Sequence, residues 1–220
     1  MRFHNRRHAG QALAVALGPY LAEPAVVYAL PRGGVPLGVE VALAHRLPLE
    51  LMIVRKIGHP WQPEYALCAV SEGGQLVCNE AERRQAGESW LQERIAAERA
   101  EALRRRQHYC DGRPRRSAEG RCAIVVDDGI ATGLSMEAAV LELKQERPQR
   151  IIVAVAVAPS ETAARFSDLV DAFVTAYLPE VFEGAVGNYY DDFTQLSDAA
   201  VIDELRRMSL TSGPGANGMS

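Results

Sequence analysis

No apolar stretch in the sequence is long enough to span a bilayer, and the short one after Arg2, Arg6 and Arg7 is broken at Gly18-Pro19. No signal peptide is legible there, so the expected location is the cytoplasm. Cysteine is scarce: Cys68, Cys78, Cys110 and Cys122 are the 4 in 220 residues, and none stand as C-x-x-C. No histidine cluster completes a zinc pattern, so reduced, mostly buried thiols are expected. Basic residues are not in excess. Lys and Arg number 24 against 28 Asp and Glu, a formal charge of -4, which gives no broad footprint for nucleic acid. There is no internal repeat and no G-x-x-x-x-G-K-[ST]. Gly33-Gly34 with Gly38 does not have the G-x-G-x-x-G spacing.

What is present is ordinary for a globular protein: 48% hydrophobic and 24% charged residues, enough to bury one core without disulfides or a structural metal. Residues 5–17 carry apolar side chains at helical spacing and stop at Gly18-Pro19. Val26 to Leu30 reads as a buried strand ending in the turn Pro31-Arg32-Gly33-Gly34. Pro36 to His45 reads as a helix and Leu49 to Val54 as a second strand ending at Arg55-Lys56. Cys122 to Val126, Ile151 to Ala158 and Ala172 to Ala176 read as further strands. Helices over 134–147 and 162–169 separate them. Apolar strands that alternate with helices and lack period-two polarity predict an α/β fold with a parallel sheet flanked by helices. The domain expected is a single one over 1–208.

Two segments stand apart. Residues 58–120 begin as a hairpin, with turns at His59-Pro60 and Gly73-Gly74. They continue as one thinly apolar charged helix over about 80–110 and an Arg-rich loop. This pattern predicts an inserted flap or arm outside the main core. Residues 178–208 hold an aromatic-rich loop and a last helix from Asp198 to Met208. The Gly- and Ser-rich 209–220 is expected to be a disordered tail. His4, His8, His45 and His108 are expected on the surface, with His59 near the flap.

Ligands of open parallel sheets bind beyond the carboxyl ends of the strands. The third strand ends in Val126-Asp127-Asp128-Gly129-Ile130-Ala131-Thr132-Gly133-Leu134-Ser135. Two adjacent carboxylates can accept hydrogen bonds from the vicinal hydroxyls of a ribose. The small-residue loop that opens the next helix can hold a phosphate with its N–H groups and the Thr132 and Ser135 hydroxyls. The same residues also suit an acidic strand end of a flavodoxin-like domain.

The segment resembles the signature of type I phosphoribosyltransferases for phosphoribosyl pyrophosphate (PRPP): four apolar residues, two acids, two variable residues, then A-T-G-x-S/T. Gly129 departs from it, where the family has an aliphatic residue. P-R-G-G, the V-R-K strand end, Pro63-Glu64-Tyr65-Ala66 and Glu72-Gly73-Gly74 also resemble a bacterial and archaeal group of that family. The resemblance covers roughly residues 25–176. It implies a Rossmann-like core with a flap and a hood at 178–208, and a reaction that moves the 5-phosphoribosyl group of PRPP to a nucleobase or other nitrogenous acceptor, releasing pyrophosphate.

It further implies roles. Asp127 and Asp128 would hold the ribose hydroxyls, directly or through water on a Mg2+ cofactor. Ala131, Thr132, Gly133, Leu134 and Ser135 would take the 5'-phosphate. Arg32, Gly33, Gly34 and Lys56 would take the pyrophosphate, with Arg32 and Lys56 counted among the catalytic groups beside the two aspartates. A homodimer is compatible with the family. Ala131 stands where the 6-oxopurine branch has an Asp base, which argues against hypoxanthine or guanine. Glu64 and Glu72 are candidate replacements, or plain surface acids. Phe182, Tyr189 and Tyr190 are candidates to stack on the acceptor, or anchors of a C-terminal loop. The alternative is a PRPP- or nucleotide-sensing regulator with the same fold and little transferase activity.

Overall fold

The computed structural model describes residues 2–21 and 24–212. Its centre is built from the five apolar runs. The strands β1 (Ala25–Ala29), β2 (Leu49–Leu51), β6 (Cys122–Asp127), β7 (Arg150–Val157) and β8 (Ala172–Tyr177) pair in parallel in the order β2-β1-β6-β7-β8. β6 is therefore central, and the reversal of strand order lies between β1 and β6. That is the switch point where such sheets open a crevice at their carboxyl ends.

Alternation of side chains across the sheet decides which helix covers which face. Val27, Ile124, Val126 and Ile152 meet Leu13 of α1 (Arg6–Leu17) and Leu37 and Val41 of α2 (Gly34–His45). Val26, Tyr28, Val125 and Val153 meet Met136 and Leu143 of α5 (Leu134–Gln145) and Phe166 of α6 (Ser160–Ser167). The predicted parallel α/β architecture is the one observed. α1 starts where Asn5 accepts a hydrogen bond from His8 N at 3.0 Å, an N-cap.

The middle segment corrects several expectations. β3 (Val54–His59), β4 (Gln62–Ser71) and β5 (Leu76–Cys78) form a separate antiparallel sheet, so the second predicted strand is two strands in two sheets. One face of the small sheet packs Ile57, Leu67 and Val70 against Leu91. The other sets Ala69 and Val77 against Ala138 of α5. The charged helix is two helices, α3 (Glu80–Ala86) and α4 (Glu88–Cys110), divided at Gly87, whose φ is +84°. Nor is α4 an arm: Ala102, Tyr109 and Cys110 share a buried cluster with Ala29, Val39 and Ile53. Few apolar residues suffice because charged ones complete the contact. Arg106 binds Glu50 at 2.8 Å and Glu72 at 2.6 Å. Glu72, for which a surface position was open, is thus a buried partner of Arg106; Glu64 is exposed.

Cys68 and Cys78 face one another across the β4–β5 ladder and form a disulfide, which overturns the expectation of four reduced thiols. Cys110 and Cys122 are free and buried. His45 is half-buried with Nε2 2.9 Å from Ala14 O, so it is not a plain surface residue. The last helix, α7 (Asp198–Ser212), runs beyond the expected Met208, so residues 209–212 are helical. The rest of the expected tail, 213–220, lies outside the described residues.

Candidate active site

The end of β6 carries the two acids into the middle of the crevice. Leu30 N donates to Val126 O at 2.9 Å, which zips the turn after β1 onto the end of β6. Gly33 then lies so close to Asp128 that a Cβ on it would overlap the carboxylate. Asp128 N donates to Asp127 Oδ1 at 2.8 Å, turning the pair into one rigid corner. Arg6 Nε reaches Asp128 Oδ2 at 2.8 Å, and Tyr190 donates its hydroxyl to Asp128 O at 2.6 Å.

Burial pushes the Asp127 carboxyl well above the usual carboxylate range, and the neighbouring Asp128 charge pushes it further. Burial also raises Asp128, but the Arg6 guanidinium works against the rise through charge and hydrogen bond.

Lys56 on β3 is exposed, and its positive charge works against the rise of both aspartates. Arg55, its neighbour, turns the other way and binds Glu98 of α4 at 2.9 Å. Alternation along the strand separates the two: Arg55 pairs with Val70 on the α4 face, and Lys56 with Ala69 on the α5 face. Gly34 N is used inside its own turn, donating to Leu30 O at 2.9 Å. The Arg32 side chain is directed to α7, where Nη1 lies 3.7 Å from Asp198 Oδ1. Asp198 also accepts from Tyr109 OH at 2.6 Å, and that bond holds its carboxyl below the usual range.

The loop after β6 opens α5. Gly133 is the N-cap with φ +84°, a conformation that favours glycine, and among the described residues no side chain caps the helix. The first N–H groups of α5 are left for another acceptor. Ala131 and Thr132 are exposed, Leu134 and Ser135 half-buried. From α6, Thr162 Oγ1 donates to Ala131 O at 3.1 Å and Arg165 Nη2 to Thr132 O at 2.7 Å. A cleft of about 640 Å³ beside the loop is lined by Ala131, Thr132, Leu134 and Glu137 on one side and Tyr65 and Cys78 of the small sheet on the other.

A model of the phosphoribosyl transferase domain matches residues 7–187, most of the chain. The chain belongs to the phosphoribosyl transferase family. Two Mycobacterium tuberculosis relatives, each named "Putative phosphoribosyl transferase", are 38% identical over 207 residues, or 93% of this chain and 46% of theirs. The chain thus spans about half the length of the curated relatives it matches. The crystal structure of TT1426 from Thermus thermophilus superimposes with a TM-score of 0.78 at 43% identity, covering 94% of this chain and 99% of that one.

In this phosphoribosyl transferase domain Gly33 lies against Asp128, and the charge of Lys56 acts on both aspartates. The hood aromatics are placed differently. Tyr189 and Tyr190 are buried, and Phe182 is half-buried with its ring stacked on Tyr189 at 5.4 Å. Reasoning from sequence missed Arg6, which also donates from Nη1 to Thr194 O at 2.8 Å and lies over the Phe193 ring at 4.0 Å. It is 122 residues from Asp128, and one arginine among three near the N-terminus carries no periodic signal. Gly129 also acquires a reason. A Cβ there would lie 2.5 Å from Val186 Cγ1, so a larger side chain is kept out where Val186 packs down.

Proposed function

We propose that the chain transfers the 5-phosphoribosyl group of PRPP to a nitrogenous acceptor of nucleobase type, with release of pyrophosphate. The observation that carries this reading is the contact between the P-R-G-G turn, read as the pyrophosphate loop, and Asp128, read as a ribose ligand. Asp127 and Asp128 hold the two ribose hydroxyls. Ala131, Thr132, Gly133, Leu134 and Ser135 bind the 5'-phosphate at the uncapped start of α5. The Arg32 and Gly33 amides and the Lys56 ammonium meet the pyrophosphate, with Gly34 closing the turn that presents them. The C1–oxygen bond breaks toward an oxocarbenium-like sugar, and Lys56 and Arg32 stabilise the charge that gathers on the leaving group. Arg32 releases Asp198 to do so. The small sheet carries Lys56 and covers the loop side of the crevice, which keeps water from the cationic sugar.

Among the described residues no group of three or more His, Cys, Asp or Glu could hold a metal by itself. Two adjacent carboxylates, one without an ion pair among the described residues, still fit Mg2+ that takes its remaining ligands from PRPP and water. Bound there, Mg2+ would neutralise pyrophosphate charge. Of the three hood aromatics, Phe182 offers the acceptor a ring, whereas Tyr190 serves the site by fixing Asp128. Pyrophosphate release from PRPP, measured across purine, pyrimidine and amine acceptors, tests the transfer. Release that depends on one acceptor class is expected. No release with any of them, in a protein that binds PRPP, would reject the transferase reading.

A further inference from the structure

The 5'-phosphate loop lacks a cation of its own. Gly129-Ile130-Ala131-Thr132-Gly133-Leu134-Ser135 contains no Lys or Arg, and Glu137 adds a negative charge to the first turn of α5. A phosphate dianion held there by amides and hydroxyls alone would face that carboxylate. α6, which lies outside the signature, supplies what is missing. Arg165 Nη2 sits 2.7 Å from Thr132 O and 3.8 Å from Glu137 Oε2. The same atom would stand 2.5 Å from a Cβ on Gly133, so the guanidinium lies against the N-cap itself. The Phe166 ring, 5.4 Å from the guanidinium carbon, backs it. About half of the side chain is exposed, and it lines the cleft beside the loop.

We propose that Arg165 is the cation of the 5'-phosphate subsite, binding the phosphate of PRPP while one of its N–H groups holds the Thr132 carbonyl. This assignment rests on the phosphoribosyl transfer reading given above. Thr162 plays the positioning part: its bond to Ala131 O turns that peptide so that the neighbouring N–H groups face the phosphate. Arg165 spends one donor on the protein and keeps others, because a guanidinium presents five in a planar fork.

Calorimetric titration of the full chain with ribose 5-phosphate and, separately, with inorganic pyrophosphate tests the assignment. Arg165→Ala should weaken ribose 5-phosphate about tenfold or more and leave pyrophosphate within about twofold, as expected for loss of one charge-assisted hydrogen bond. Arg165→Gln keeps a donor for Thr132 O without the charge, and it should bind ribose 5-phosphate as weakly as the alanine variant. Arg165→Lys should recover part of the loss. Wild-type affinity in the folded glutamine variant would show that the residue only positions the loop, and the proposal would fall. A wild-type chain that binds neither probe would instead remove the phosphoribosyl reading of the loop. Thermal melts of each variant separate lost binding from lost folding.

Discussion

Gly33 and Asp128 are in contact because one of them has no side chain: a Cβ on Gly33 would overlap the Asp128 carboxylate. Gly33 has φ -63°, which any residue adopts, so the glycine is needed for space and not for conformation. Gly33→Ala must therefore push the turn or the carboxylate aside. Overpacking of this kind costs about 1–3 kcal/mol, or roughly 2–12 °C in melting temperature. PRPP affinity should fall as well, by about tenfold or more, since the displaced groups are the ligand's own. Paired melts and titrations check both numbers.

Asp127 gives a pH dependence whose sign is opposite to that of most carboxylates. Its folded pKa is raised, so between the ordinary value of 3.8 and the raised one the folded state binds more protons than the unfolded state. Stability contributed by this group is accordingly lost as pH rises through the raised value and regained as pH falls. Asp127→Asn should raise the melting temperature at pH 7.5, in the absence of ligand and metal, by a few degrees, about 1 kcal/mol or more. The advantage should shrink toward zero near pH 4. An asparagine variant less stable than wild type at neutral pH would contradict the burial argument.

Gly129 and Val186 should be coupled. Gly129→Ala brings a methyl to within 2.5 Å of Val186 Cγ1 and is expected to cost about 1–3 kcal/mol. Val186→Ala removes the opposing methyls. In the double variant the cost of the first change should drop by about 0.5 kcal/mol or more, the usual scale for residues in contact. Strict additivity in the double-mutant cycle would mean that the hood does not rest on Gly129.

Arg106 ties α4 to the body. Its guanidinium meets Glu50, Glu72 and the Leu51 carbonyl in a site with little solvent. Arg106→Met takes the cation from Glu50 and leaves Glu72 only Arg115 Nε at 3.8 Å, and breaking a buried pair in this way costs about 3–5 kcal/mol. The melting temperature should fall by roughly 6 °C or more. If the variant melts like the wild type, α4 is an independent arm after all.

The parallel core was legible because β1, β6 and β7 are continuous apolar runs, a pattern that amphipathic elements cannot imitate. The site was legible where its residues are contiguous: Asp127 to Ser135, and Pro31 to Gly34. Arg6 was not, because its partner is 122 residues away and nothing local marks it. The packing of α4 escaped for a different reason. Ala102, Tyr109 and Cys110 are too few for a hydrophobic stripe, and the Arg106 ion pairs that complete the contact look like solvated charge in a sequence. The Cys68–Cys78 bond depended on the β4–β5 register, which a separation of 10 residues does not determine.

The central claim is that the corner formed by Asp127 and Asp128 holds PRPP. Its most direct test is calorimetric titration of PRPP with magnesium into the wild type and the Asp127→Asn/Asp128→Asn variant. The expected result is wild-type binding in the micromolar range that requires magnesium and disappears in the double variant, while the variant's fold is retained by circular dichroism. PRPP binding of equal strength in both proteins, or none in the folded wild type, would contradict the account.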